Sequence, residues 1–209
     1  MKSKKSCFNF TIFKKNISRT WFISLIYFLI MALQLPVGYW LSVTGSNDFD
    51  LKMGYDANYH LLQVISSQGT SVLVFLMVPI FMLVIFSYLY FKKDNYMMHS
   101  FPINRKTLFV TGCVTVLVEL IVPTLLNGLI LTGMAVSNHV PYVGAIWYTI
   151  LSIVVAIVFF VGFMSFAMML SGQIVTAGIF YLILNFAYLI IDFIFRILIS
   201  ALYFSRHSG

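Results

Sequence analysis

From Ser71 to Phe91 no residue carries a charge, and that stretch constrains the fold more than any other feature of the chain. A helix rises about 1.5 Å per residue, so roughly 20 apolar residues match a bilayer core about 30 Å thick. Runs of similar character cover residues 21–43, 108–136, 143–170 and 174–204. Across its 209 residues the chain is 61% hydrophobic and only 9% charged. A soluble domain averages about 45–50% apolar and about 25% charged residues. No soluble core of this size could hide so much apolar surface. A soluble enzyme, a disordered chain and a fibrous repeat therefore do not fit. The pattern reads as an all-α integral membrane protein of about five transmembrane helices, one domain over 1–209.

The spans are separated by polar segments. Residues 44–70 carry Asp48, Asp50, Lys52 and Asp56, and residues 92–107 carry Lys92, Lys93, Arg105 and Lys106. Asn138, His139 and Pro141 mark one turn, and Ser171, Gly172 and Gln173 another. Lys and Arg in short loops set orientation. Lys2, Lys4, Lys5, Lys14, Lys15 and Arg19 precede the first span. This bias predicts a cytoplasmic N-terminus, a cytoplasmic 92–107 connector, an external 44–70 loop and, after five spans, an external C-terminus in a cell-membrane protein. The first run is about 20 residues long and lacks a small-residue cleavage site, so it reads as a retained signal-anchor. The net charge of +7 reflects these flanks and does not indicate nucleic acid.

Three further segments stand out. Residues 8–20, FNFTIFKKNISRT, place Phe10, Phe13 and Ile17 on one helical stripe. Lys14, Lys15 and Arg19 lie mostly off it. This predicts a short amphipathic helix lying in the headgroup layer with cations toward anionic lipid. Within the connector, Tyr96, Met97, Met98 and Phe101 give a short helix an apolar face that Pro102 would end. Exposed apolar side chains of this kind point to a protein partner. Inside the runs, Glu119 sits about midway along the third and must be neutral, paired or facing a polar cavity. Asp192 and Arg196 stand four apart near the end of the fifth run, the spacing of a structural ion pair. Gly162, Ser165, Gly172, Thr176 and Gly178 would allow close helix packing. Pro36, Pro79 and Pro123 are places for kinks.

The sequence has no phosphate-binding G-x-x-x-x-G-K-[ST] loop, no H-E-x-x-H and no G-x-S-x-G elbow. His60, His99, His139 and His207 are scattered. Neither a metal site, a catalytic site nor a bound cofactor is expected. Cys7 and Cys113 read as isolated thiols.

The order of parts is a basic amphipathic segment, a span, an external loop, a second span and a connector reading YMMHSFPINRKTLF. It resembles the membrane subunits of ABC-2 type transporters, especially a Gram-positive bacterial group. In that group the connector reads like MMHxLPxxRxxLF. Met97, Met98, His99, Pro102, Arg105, Leu108 and Phe109 match it, with Phe101 in the place of leucine. The segment at 163–186 is similar to that group's passage from fourth to fifth helix. The resemblance implies a permease that pairs with a second permease, as a homo- or heterodimer, and binds a separate cytoplasmic ATPase that holds the ATP. Residues 8–20 would be its elbow helix. The connector would be its coupling helix, with Asn95, Tyr96, Met97, Met98, His99, Phe101, Pro102 and Arg105 docking the ATPase. Members of the family have six spans, so five read as a truncated member. The implied activity is ATP-driven export of a peptide, drug or lipid-like compound. Two other functions fit the residues alone: a non-transporting interaction, immunity or sensor protein, and a channel or proton-coupled carrier using Glu119.

Overall fold

The computed structural model describes residues 8–45, 57–66, 69–87, 105–138, 140, 143–187 and 197. Among these, helix is the only regular structure. Among the described residues, four helices are long and apolar enough to cross a membrane: Phe10–Thr44, Tyr59–Ile85, Arg105–Ser137 and Val143–Leu170. The architecture is that of a multi-pass membrane protein. The fifth expected span begins as the shorter apolar helix Ile174–Ala187; apart from Ile197, the rest of 174–204 lies outside the described residues.

The first helix, α1, covers Phe10–Ala32. Asn9 caps it from extended backbone, its Oδ1 accepting from the amides of Thr11 at 3.0 Å and Ile12 at 3.3 Å. No glycine or proline follows before residue 33, so nothing ends the helix at residue 20. The elbow and first span, expected as two elements, are therefore one. The helix instead changes character at a π-helical turn, Leu33–Val37, which contains Pro36. Proline has no amide hydrogen, and its ring crowds the carbonyl four residues back. One wider turn relieves both faults. The short helix α2, Gly38–Thr44, completes the span.

The expected outer loop at 44–70 contains a helix, α3, over Ala57–Ser66. Its polar neighbours hid its apolar side in the sequence. Leu61 is fully buried, and α3 packs on α2 and the π-helical turn. Helices α4 (Gly69–Ile85), α5 (Arg105–Ser137), α6 (Val143–Leu170) and α7 (Ile174–Ala187) follow. The described chain divides into two compact units within α6, Met1–Gly162 and Phe163–Gly209. In the second unit, Ser171–Gln173 makes the tight turn between helices, with the Ser171 amide closing onto the Ala167 carbonyl at 3.1 Å.

Two outward-facing tryptophans mark the bilayer on the first helix. Trp21 is 57% exposed and Trp40 54% exposed. Their separation along a helix is roughly 28 Å, close to the hydrocarbon thickness, and tryptophan favours both interfaces.

Helix α5 is the centre of the first unit. Thr107, Thr111, Thr115, Glu119, Pro123, Asn127, Leu131 and Ala135 recur every fourth residue, and all are buried. A step of four overshoots the helical repeat by roughly 40°, so the stripe winds around α5 and meets different neighbours along its length. Near its start, Phe86 packs over Gly112: a β-carbon there would lie 2.6 Å from Phe86 Cζ. Further along, a β-carbon at Gly128 would lie 2.9 Å from Ile150 Cγ1 of α6. The glycines singled out from sequence behave otherwise. At Gly162, Gly172 and Gly178 an added β-carbon would meet nothing within 4 Å among the described residues.

Candidate functional site: a polar junction at the basic end

Helices α1 and α5 are joined by a seam of hydrogen bonds. The Asn9 amide donates to Thr111 Oγ1 at 3.2 Å, and that hydroxyl donates to the Thr107 carbonyl at 2.7 Å. Thr20 Oγ1 and Glu119 Oε1 are 2.5 Å apart. Ser24 Oγ donates to the Glu119 carbonyl at 3.2 Å. Tyr27 and Thr124 hydroxyls meet at 2.9 Å, and Asn127 Nδ2 donates to the Phe28 carbonyl at 3.3 Å. Residue numbers rise together on both sides, so α1 and α5 run parallel. Helix α4 runs the other way: Arg19 Nη2 donates to Ser87 Oγ at 2.9 Å, while Gly69 lies against Gln34. Ser87 and Arg105, which flank the connector in sequence, are thus at the same end as Lys14, Lys15 and Arg19.

Glu119 is the core of this junction. Among the described residues it is the sole acidic side chain, and it is 5% exposed. Counting along α5 puts it midway, as expected. Its depth is set by its partners instead. It lies level with Thr20, the residue before Trp21.

The proline one turn on explains part of the geometry. Pro123 cannot donate to the Glu119 carbonyl, which an ordinary helix would satisfy from position 123. Ser24 of α1 supplies the missing donor. Thr20, one turn earlier on α1, takes the side chain. Thr20 has one hydroxyl hydrogen and two acceptors in reach, the Asn16 carbonyl at 2.8 Å and Glu119 Oε1. A protonated Glu119 donates to Thr20, whose hydrogen then goes to Asn16. An ionised Glu119 receives the Thr20 hydrogen itself. The contact holds in either state, with the direction of donation reversed. Glu119 Oε2 and Asn127 Oδ1 are buried with no partner among the described residues.

The residues proposed for the elbow occupy the first turns of α1. Phe10, Lys14, Lys15 and Arg19 face outward, and Phe13 and Ile17 are half-buried. Phe13 stacks near Phe8 and Phe10, with ring centroids 5.5 and 6.1 Å away. Of the docking residues, Arg105 opens α5 and is exposed. Asn95, Tyr96, Met97, Met98, His99, Phe101 and Pro102 lie outside the described residues, as do Asp192 and Arg196. Among the described residues no three histidine, cysteine, aspartate or glutamate side chains converge.

Sequence reasoning found Glu119 and Arg19 but missed Thr20, Ser24, Tyr27, Ser87, Thr111 and Thr124. The recurrence Thr107, Thr111, Thr115, Glu119 was the available signal. Compared with family profiles, with characterised proteins and with solved structures, the chain finds no match.

Proposed function

We propose that this chain is the membrane subunit of an ATP-driven transporter of ABC-2 type. In this reading it works with a second permease and a separate ATPase, and exports a peptide, drug or lipid-like compound. The connector sequence YMMHSFPINRKTLF carries the reading. The junction supports it mechanically. Arg19 grips Ser87, where the connector departs, and Asn9 grips Thr111 on the helix to which it returns. An ATPase that holds Met97, Met98 and Phe101 in one position when nucleotide is bound, and in another when it is not, would move α1 with them. That differential contact is what allows a nucleotide to bias one of two packings.

The test is co-purification of an ATPase with the full chain. Aspartates replacing Met97, Met98 and Phe101 should abolish it while the chain still inserts. Unchanged co-purification removes the coupling role. The Oε2 of buried Glu119, unpartnered among the described residues, favours a second reading, a channel or proton-coupled carrier. In that case Glu119→Gln stops transport without touching ATPase docking. In the permease reading the same change leaves transport largely intact.

A further inference from the structure

We infer that the outward face of α1 holds one anionic phospholipid, its phosphate between Lys14, Lys15 and Arg19 and a chain along the apolar side chains beyond. A trough of about 540 Å³ is lined by Phe10, Thr11, Lys14, Lys15, Ser18 and Arg19. Its side chains offer three cations and two hydroxyls, the donor set that a phosphate diester requires. No acidic side chain among the described residues lines it. Arg19 gives one of its five N–H donors to Ser87, and among the described residues its others are open to an anion.

The same face turns apolar within one helical turn. Lys14, Ser18, Phe22, Leu25 and Leu29 follow at steps of three or four, so they share one side of α1. Phe22, Leu25 and Leu29 are all exposed, with Trp21 beside Phe22. Along the helix axis the cations stand about 9 to 17 Å from Leu25, and Trp21 marks the interface between them. That distance matches the step from headgroup phosphate to upper acyl chain in one leaflet. Because α1 is unbroken from Phe10 to Ala32, charge and chain recognition are rigidly in register. A helix lying flat in the headgroups would not provide this. The inference rests on the membrane-spanning architecture alone, so loss of ATPase docking leaves it standing.

The test is native mass spectrometry of the detergent-purified full chain titrated with phosphatidylglycerol or phosphatidylcholine. We expect one saturable phosphatidylglycerol adduct, favoured over phosphatidylcholine. K14Q/K15Q should weaken it roughly 10- to 30-fold, at the usual contribution of a cation near a phosphate surface. R105Q/K106Q removes the same charge from the same end of the bundle and should change binding less than about twofold. Should K14Q/K15Q fail to fold, Ser18→Glu, which sets a carboxylate among the three cations, should abolish the adduct instead. Equal weakening by the two double variants means a diffuse basic belt and overturns the inference. So does equal binding of phosphatidylcholine. Displacement by millimolar glycerol phosphate would show a phosphate site without a lipid.

Discussion

Helices α5 and α6 cross the same slab and bury different chemistry. On α6 the buried positions are Ile146, Ile150, Ile153, Ile157, Val161, Met164, Ala167 and Met168, spaced so that they stay on one side of the helix. On α5 they include three threonines before Glu119, then Pro123, Asn127 and Gly128, spaced so that they wind around it. In lipid the hydrophobic effect does not favour one apolar contact over another. A stripe like that of α6 therefore fixes neither register nor depth. The hydroxyls, the carboxyl and the glycine contacts of α5 do both, so α5 is the element on which α1 and α4 are aligned.

That contrast can be broken most forcefully at the glycines. Gly112→Val drives a branched side chain into Phe86 and should cost about 3 kcal/mol, read as lost thermal stability in detergent. The next largest effect is expected at Glu119. Glu119→Leu removes the partner of Thr20 and should cost about 1–1.5 kcal/mol, whereas Glu119→Gln, which keeps a hydrogen-bonding group, should cost under about 0.5 kcal/mol. A sharper test joins two helices. Ser24→Ala strips the Glu119 carbonyl of its donor and should cost about 0.6–1 kcal/mol. Pro123→Ala restores an amide hydrogen inside α5, so in that background the Ser24→Ala penalty should vanish. Simple additivity of the two changes would show that Ser24 does not stand in for the missing amide. The smallest effect belongs to Gly162→Ala on α6, where nothing among the described residues lies within 4 Å; stability should shift by less than about 0.5 kcal/mol.

The sequence made the spans legible where turn chemistry bounded them. The run 143–170 coincides with α6 because Asn138–Pro141 precedes it and Ser171–Gln173 follows it. It misjudged α3, whose apolar side is set among aspartates and asparagines and becomes a buried face only when Leu61 packs inward. It divided α1 where charge gave way to apolar residues, although a change of composition does not end a helix and no breaker lies there. Glu119 stood out because an acid in an apolar run is costly. Its partners did not, since Thr20 and Ser24 lie about a hundred residues away in sequence and look unremarkable beside their own neighbours. Only the parallel packing of α1 on α5 brings Ser24 to the carbonyl that Pro123 leaves open.

The account depends on the basic end of the bundle, with the connector it flanks, facing the compartment that supplies ATP. Membrane-impermeant thiol labelling of intact cells tests this directly, in a background with Cys7 and Cys113 replaced by serine. Single cysteines at Lys14 and Asn95 should be protected in intact cells and labelled in inverted vesicles, while one at Tyr59 should show the opposite. Labelling of Asn95→Cys from outside would contradict the account.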